Sequence, residues 1–213
     1  MGIESHTRQS ETGTNRPIVA FDFDGTLTVR DSFNAFLRWR VPTFRFAAGL
    51  ARLGPALARY AVDRNRGTIK AAAVREFLAG RTPEDVGREA DAFAEKVWAR
   101  FMRPDALETW NDWKARGALM VIVTASPAIT VEPFARRLGA DVLLGTRLKV
   151  CADGRISGPL HGENCRAAEK VVRLRERFGP EVKLAAAYGD TSGDTEMLEI
   201  AEVKGFRVFR GRP

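Results

Sequence analysis

The first clear hydrophobic pattern in the chain is a short, uninterrupted apolar run at residues 18–21. Such a run is typical of a strand buried on both faces of a parallel sheet. It ends abruptly at two carboxylates, Asp22 and Asp24, and a glycine, Gly25. Because aspartate is unfavourable inside a strand, the pattern predicts that both acids lie where the strand leaves the sheet. Ligands bind at this carboxyl edge in open α/β sheets.

The segment from 29 to 100 carries apolar side chains at the three- and four-residue spacing of amphipathic helices. Asp31 and Thr82 are good N-cap residues, and Gly54-Pro55 is expected to kink or break a helix. We therefore predict an all-helical segment. The predicted helices cover about 33–41, 44–62, 68–79 and 83–100.

After Pro104 the pattern changes to β-rich apolar runs that alternate with helical segments. This alternation indicates parallel strands joined by helical crossovers. We predict an α/β protein with a three-layer, doubly wound core and a mostly parallel sheet, interrupted after its first strand by the helical segment. Asp153-Gly154 indicates an additional hairpin. The predicted strands are 119–123, 142–144, 149–150, 155–156, 184–188 and about 206–209, and the predicted helices are 104–116, 128–138, 164–178 and one through Met197 and Leu198.

The positive charge of the chain is concentrated in one segment. The formal net charge is +7, and residues 38–66 contribute nearly all of it, with seven arginines, no lysine and one acid, Asp63. A single basic face argues against nucleic acid as a partner. The arginines and prolines within 41–62 exclude a bilayer crossing. Residues 38–66 either lie on an anionic membrane, as a peripheral contact, or pack within the helical segment with solvated arginines.

Composition places the chain among ordinary globular proteins, at 213 residues and 45% hydrophobic content. Cys151 and Cys165 do not make a disulfide framework, which favours a cytoplasmic location. His6 and His161 are the only histidines, so the chain offers too few histidine ligands for a typical histidine-based metal site. Residues 1–16 are polar and lack the apolar core of a signal peptide, and we expect them to form a disordered tail.

Four further residues are candidates for chemistry, three of them near predicted strand ends and one, Lys170, within the helix predicted at 164–178. Two acids at a strand end can bind a hard cation, or supply a nucleophile beside a proton shuttle. A hydroxyl and free amides at a helix start can bind phosphate. Each also has an ordinary interpretation as a turn residue, an N-cap or a solvated charge. These candidates are Thr124, Lys170, Asp190 and Asp194.

Four motifs, in order, resemble those of the haloacid dehalogenase superfamily. They are DFDGT (22–26), VTASP (123–127), AEKVVRL (168–174) and YGDTSGD (188–194). The helical segment looks like a type-1 cap, as in the phosphoserine-phosphatase-like subclass, whose members include phosphatidylglycerophosphatase C. The resemblance covers about 17–200. It implies a Rossmann-like core formed by 17–28 and 102–213, with 29–101 as the cap.

The resemblance also implies a Mg²⁺-dependent phosphomonoesterase. Asp22 would be the nucleophile and form an aspartyl-phosphate, and Asp24 would be the general acid and base. Thr124, the amide of Ala125 and Lys170 would bind the phosphoryl group.

The implied Mg²⁺ site uses oxygen ligands only. A carboxylate oxygen of Asp22, the backbone carbonyl of Asp24 and the side chain of Asp190 would bind the metal. Asp194 would hold the waters of the metal or bind it directly.

The resemblance implies a phosphate monoester as substrate but does not define which one. Asp31 aligns with the glutamate that binds the substrate ammonium in phosphoserine phosphatases, but is shorter by one methylene. No serine-leucine-arginine element occurs between 60 and 100. We therefore expect a small or lipid-linked phosphate monoester. Phosphoserine itself, and transfer of the phosphoryl group to another hydroxyl, remain as alternatives.

Overall fold

The computed structural model describes residues 16–63 and 66–213. Apart from Arg16, the predicted tail lies outside the described residues, as does His6. Within these ranges the strands are β1 (Ile18–Phe21), β2 (Leu119–Pro127), β3 (Val142–Thr146), β4 (Leu148–Val150), β5 (Ile156–Leu160), β6 (Leu184–Gly189) and β7 (Ala201–Phe206). The helices are α1 (Ser32–Arg40), α2 (Thr43–Arg52), α3 (Gly54–Asp63), α4 (Arg66–Leu78), α5 (Pro83–Val97), α6 (Pro104–Ala115), α7 (Ala128–Leu138), α8 (Ala168–Phe178) and α9 (Thr195–Glu199).

The central sheet has the strand order β3-β2-β1-β6-β7, and each neighbouring pair is parallel. Because side chains alternate across a strand, β1 contributes to two cores. Val19 and Phe21 pack in a core that includes Trp110 of α6 and Phe134 of α7, and Ala20 packs in another that includes residues of α8 and α9. This arrangement confirms the predicted three-layer α/β fold.

Helices α1 to α5 fill the chain between β1 and α6, and we call residues 29–101 the helical insert. Asp31 caps α1, with its Oδ1 accepting a hydrogen bond from the Asn34 amide at 2.7 Å. Thr82 caps α5 by accepting a hydrogen bond from the Asp85 amide. The expected break near Gly54 separates α2 from α3. The insert is helical as predicted, and within the described residues no helix is long and apolar enough to cross a membrane.

Two features outside the central sheet lie where the insert meets the rest of the chain. An antiparallel bridge pairs Thr28 with Met102, where the chain enters and leaves the insert. The predicted hairpin forms as β4 and β5, which pair with each other and pack on α4. Ile156 of the hairpin accepts a hydrogen bond from the Gly80 amide at 2.9 Å and donates one to the Arg81 carbonyl at 2.8 Å.

The strands β2 and β5 each extend four residues beyond the predicted ends, and two other predicted elements begin at different residues in the structure. The last strand is Ala201–Phe206 and not 206–209, because its parallel register with β6 runs from Ala201 to Phe206. The helix predicted from 164 begins at Ala168, because Ala167 adopts a positive φ of 56° and donates its amide to the Gly193 carbonyl. This turn brings the start of α8 against the loop that follows β6.

Candidate active site

The candidate site lies at the carboxyl edge of the sheet, between β1 and β6. In the sheet, β2 and then β3 lie on one side of β1, and β6 and then β7 lie on the other side. The crevice at such a switch point is where open α/β sheets bind ligands. Asp22 directly follows β1, with its amide donating to the Tyr188 carbonyl at 2.8 Å, and Asp190 directly follows β6.

Three carboxylates from these two strand ends converge. One oxygen from each of Asp22, Asp190 and Asp194 lies within 4.8 Å of the others. The Oδ1 of Asp190 is buried and has no hydrogen-bond partner among the described residues. A set of carboxylate oxygens with one buried acceptor left unpaired fits a hard divalent cation such as Mg²⁺.

Gly25 allows this convergence. It has a φ of +87°, and a Cβ at this position would lie 2.2 Å from Oδ2 of Asp190. Any other residue would therefore both strain the backbone and displace the acid. The glycine of the first motif thus brings the β1 loop against the β6 loop.

The buried side chain of Lys170 pairs with two of the three acids, Asp22 and Asp194. Its side chain is 1% exposed, and its Nζ donates to Asp22 Oδ1 at 2.5 Å, Asp194 Oδ1 at 2.6 Å and the Val123 carbonyl at 2.7 Å. Burial acts to lower the pKa of Lys170, but the two carboxylates outweigh it and raise that pKa above its usual value. The lysine is therefore a fixed positive charge at neutral pH.

The three carboxylates differ in their acidity. Burial raises the pKa of Asp22 to about 7, although Lys170 opposes the shift. Burial, reinforced by Asp194, also raises the pKa of Asp190. Burial acts in the same direction on Asp194, but Lys170 and hydrogen bonds from Thr191 hold the pKa of Asp194 below its usual value. A bound divalent cation would favour the ionised form of Asp22.

The carboxylate of Asp24 is held apart from this cluster by two donors. The amide of Ser32, at the start of α1, donates to Asp24 Oδ1 at 2.6 Å, and Ser126 Oγ donates to Oδ2 at 2.5 Å. Sequence reasoning missed the contact with Ser126, although this serine stands in the VTASP motif. These bonds fix the side chain of Asp24 at the junction of the core with the helical insert.

The predicted phosphate-binding pair occupies two different environments. Ala125 lines the cavity above the carboxylates, and its carbonyl accepts hydrogen bonds from Lys70 Nζ and from Thr146 Oγ1. Thr124 is fully buried, and its hydroxyl accepts a hydrogen bond from the Ser126 amide at 3.0 Å. Ala125 therefore lies at the cavity, whereas the Thr124 side chain stabilises the turn at Ser126 through its hydrogen bond and does not line the cavity.

Lys70 is the main site residue that sequence reasoning missed. It projects from α4 of the insert toward the core and donates to the Ala125 carbonyl. Burial lowers its pKa, while the nearby Asp24 and Asp31 act to raise it. Burial and the charge of Asp24 raise the pKa of Asp31, which the sequence placed on the cap side of the site. The insert thus contributes one cation and one acid.

These residues line a cavity of about 610 Å³ between core and insert, which we call the reaction cavity. This volume is in the usual range for small-molecule sites. Its lining includes, from the core, Asp22, Asp24, Ala125, Asn164, Arg166, Lys170, Asp190 and Asp194, and from the insert Arg30, Asp31, Asn34, Tyr60, Ile69 and Lys70. All of the predicted acids and the predicted lysine are therefore brought together at one cavity.

Comparisons with known proteins agree with this architecture. The family model for haloacid dehalogenase-like hydrolases matches residues 19–199. The chain is 61% identical over 209 residues to Protein CicA of Caulobacter vibrioides, covering 98% of this chain and 94% of that protein. A protein with unknown function from Bordetella pertussis Tohama I superposes with a TM-score of 0.72 at 24% identity, covering 87% of both chains. A phospho-aspartyl intermediate analogue of phosphoserine phosphatase superposes with a TM-score of 0.58 at 23% identity, covering 89% of this chain and 85% of that one.

The chain therefore belongs to the haloacid dehalogenase-like hydrolase family. Family membership confirms the resemblance predicted from the four motifs, and makes this protein an enzyme of the hydrolase class. The two structural comparisons support the same fold.

Proposed function

We propose that the protein is a Mg²⁺-dependent phosphomonoesterase that acts through an aspartyl-phosphate on Asp22. The observation that carries the proposal is the environment of this carboxylate. One oxygen is bound to Lys170, an unpaired oxygen of Asp190 lies nearby, and the side chain opens on a cavity large enough for a small phosphate ester. A nucleophile, a fixed cation and a hard-metal site at one point suit attack on an anionic phosphate.

The residues divide the work as follows. Asp22 attacks phosphorus, the bond to the ester oxygen breaks, and Asp24 gives its proton to the leaving alkoxide. Asp24 then takes a proton from the water that attacks the aspartyl-phosphate, which releases inorganic phosphate and free Asp22. The amide of Ala125 binds a phosphoryl oxygen, and Lys170 offsets the negative charge of the phosphate and the nucleophile. Hydrogen bonds from Ser126 and the Ser32 amide orient Asp24 toward the leaving group.

Mg²⁺ would be held by Asp22 and Asp190, with the Asp24 carbonyl as a further ligand and Asp194 binding it directly or through water. When bound, it neutralises charge on the phosphate and the nucleophile. The raised pKa values of Asp22 and Asp190 support this assignment, because they reflect buried carboxylates that lack enough positive charge.

Phosphate release measured across a panel of phosphorylated metabolites and lipid phosphates, with Mg²⁺ and with EDTA, tests the proposal. Activity should require Mg²⁺ and be lost in Asp22→Asn, whose fold should remain intact. Asp112→Asn is the matched control, because Asp112 is exposed on α6. Retained activity in Asp22→Asn would refute the mechanism. Phosphoserine belongs in the panel, and comparing phosphate release with transfer to added alcohols separates hydrolysis from phosphotransfer.

We also propose that the protein is cytoplasmic and that the basic segment 38–66 makes peripheral contact with the inner face of an anionic membrane. Phe44 is 73% exposed and Val62 86% exposed, and Leu50 and Leu57 are also exposed on α2 and α3. Exposed apolar side chains beside arginines are typical of helices that lie in a membrane interface. Co-sedimentation with phosphatidylglycerol vesicles at low salt tests the membrane contact. Phe44→Ser should weaken binding to the vesicles. If the wild-type protein does not bind them at low salt, the proposed membrane contact is refuted.

A further inference from the structure

A second cavity of about 670 Å³ lies within the helical insert, beside the reaction cavity. We call it the insert groove. Arg30, Asp31 and Asn34 line both cavities, so the groove adjoins the cavity in which the phosphate group is proposed to react. Its position makes it the space next available to the part of a substrate that extends away from the phosphate.

The inner wall of the insert groove is apolar. It is formed by side chains of α1, α2 and α5 and by the turn that follows α5. The Phe93 ring packs at 5.6 Å from that of Trp39 and at 5.9 Å from that of Phe101, so the wall is a preformed aromatic surface. The apolar lining residues are Ala35, Trp39, Phe46, Phe93, Val97 and Phe101. Such a wall binds hydrocarbon, since apolar area removed from water is its main contribution to affinity.

The rim of the groove is cationic. Arg30, Arg38, Lys96 and Arg100 line it, with Asp31 as the one acid. Arg30 lies over the ring of Phe101, with its guanidinium carbon 5.5 Å from the ring centroid. An apolar wall under four cations is complementary to a molecule that has a hydrocarbon chain and a negative charge close to it.

We propose that the insert groove receives the body of the substrate, so that the enzyme acts on amphiphilic phosphate monoesters with a hydrocarbon chain and a second anionic group. This inference rests on the proposed phosphatase function, whose site supplies the phosphate end. The reaction cavity binds the terminal phosphate, the apolar wall binds the chain, and the cationic rim binds the second anion between them.

Chain-length dependence tests the apolar wall. With Mg²⁺ present, kcat/KM is measured for ethyl, butyl, hexyl and octyl phosphate, all monomeric in solution. Each methylene that enters the groove raises kcat/KM by up to about fourfold, so the value for octyl phosphate should exceed that for butyl phosphate at least about tenfold. A ratio within twofold would overturn the inference while leaving the phosphatase function standing. Hydrolysis of none of the four esters would instead refute the proposed function.

Two variants locate the effect in the insert groove. Ala35→Phe fills the groove, and Trp39→Ala removes part of its wall, so either should reduce the octyl-to-butyl ratio at least threefold. Ala47→Phe is the control, because Ala47 is exposed on α2 and lines neither cavity; it should leave the ratio unchanged. Thermal unfolding identifies a variant that does not fold. If the folded variants keep the wild-type ratio, the groove does not bind the chain.

A pair of substrates tests the cationic rim. Both carry an octyl chain and a terminal phosphate monoester, joined through a phosphodiester in one and through a neutral ether in the other. The phosphodiester should have the higher kcat/KM, by at least threefold, and Lys96→Glu/Arg100→Glu should abolish that preference. Equal rates in the wild type, or a preference that survives the double substitution, would overturn the assignment of a second anion.

Discussion

Replacing Lys170 by methionine removes the positive charge on which the acidic cluster depends. Methionine keeps much of the length and apolar volume of the lysine side chain but leaves Asp22 and Asp194 without their shared donor. Since Lys170 is 1% exposed, water cannot replace it. Breaking a buried ion pair by removing one partner costs about 3–5 kcal/mol, and we expect a loss of unfolding free energy of this size.

Urea unfolding in EDTA at pH 8, followed by tryptophan fluorescence, measures this loss. With a slope of about 2 kcal/mol per molar urea, the unfolding midpoint should fall by about 2 M. Lys183→Met is the control, because Lys183 is exposed and surface substitutions usually change stability by less than about 0.5 kcal/mol.

The electrostatic origin of the loss can be separated from a packing defect. At pH 5 the carboxylates of Lys170→Met take up protons, so the loss should be smaller than at pH 8. Adding Asp22→Asn to Lys170→Met should restore part of the stability, because one of the uncompensated charges is gone. A midpoint equal to that of Lys183→Met, or a loss independent of pH, would refute the electrostatic account of the site.

Three further predictions follow from the charges and hydrogen bonds. In EDTA, Asp22 of the folded protein keeps its proton up to a pKa of about 7, while in the unfolded chain Asp22 loses the proton near the usual aspartate pKa. Measured as urea midpoints, the stability of wild type should therefore fall relative to that of Asp22→Asn between pH 4 and pH 7, and the difference should then stay constant. At pH 7.5, adding Mg²⁺ should raise the stability of wild type relative to that of Asp22→Asn. Lys70 lines the reaction cavity, and we expect it to donate a charge-assisted hydrogen bond to the phosphoryl group. Lys70→Met should therefore lower kcat/KM about 10- to 100-fold in steady-state assays with Mg²⁺, and an unchanged kcat/KM would exclude Lys70 from substrate binding. Asp105 accepts hydrogen bonds from the Arg210 and Gly211 amides at 2.7 Å each; Asp105→Asn should speed hydrogen exchange at both amides, and unchanged exchange would contradict this.

The sheet and its acidic edge could be predicted because local sequence determines both. The apolar run before Asp22 has few alternatives to a buried strand, and parallel strands bring their carboxyl ends together whatever the loops do. This edge, together with the metal site that the motif resemblance implies, predicts Asp190 beside Asp22 although the two are far apart in the chain.

Lys70 and Ser126 could not be placed in the same way, since their roles depend on contacts between distant elements. A single lysine on a helix is normally solvated, and its approach to Ala125 follows from how α4 packs over the core. β7 was misplaced because an edge strand needs few apolar residues; of its six residues, Ala201 and Gly205 are buried. Register with β6, and not hydrophobicity, defines that strand.

The hairpin β4–β5 constrains how the insert can move relative to the core. Ile156 is hydrogen-bonded to Gly80 and Arg81 of the insert, in addition to the two places where the chain itself crosses. A swing of the whole insert must therefore either separate these backbone partners or carry the hairpin along. We expect the second route, with β4–β5 travelling with α4, because it leaves both hydrogen bonds intact. Such a movement would bend the chain at the short connections at the base of the hairpin, Arg147 and His161, where no predicted catalytic residue lies.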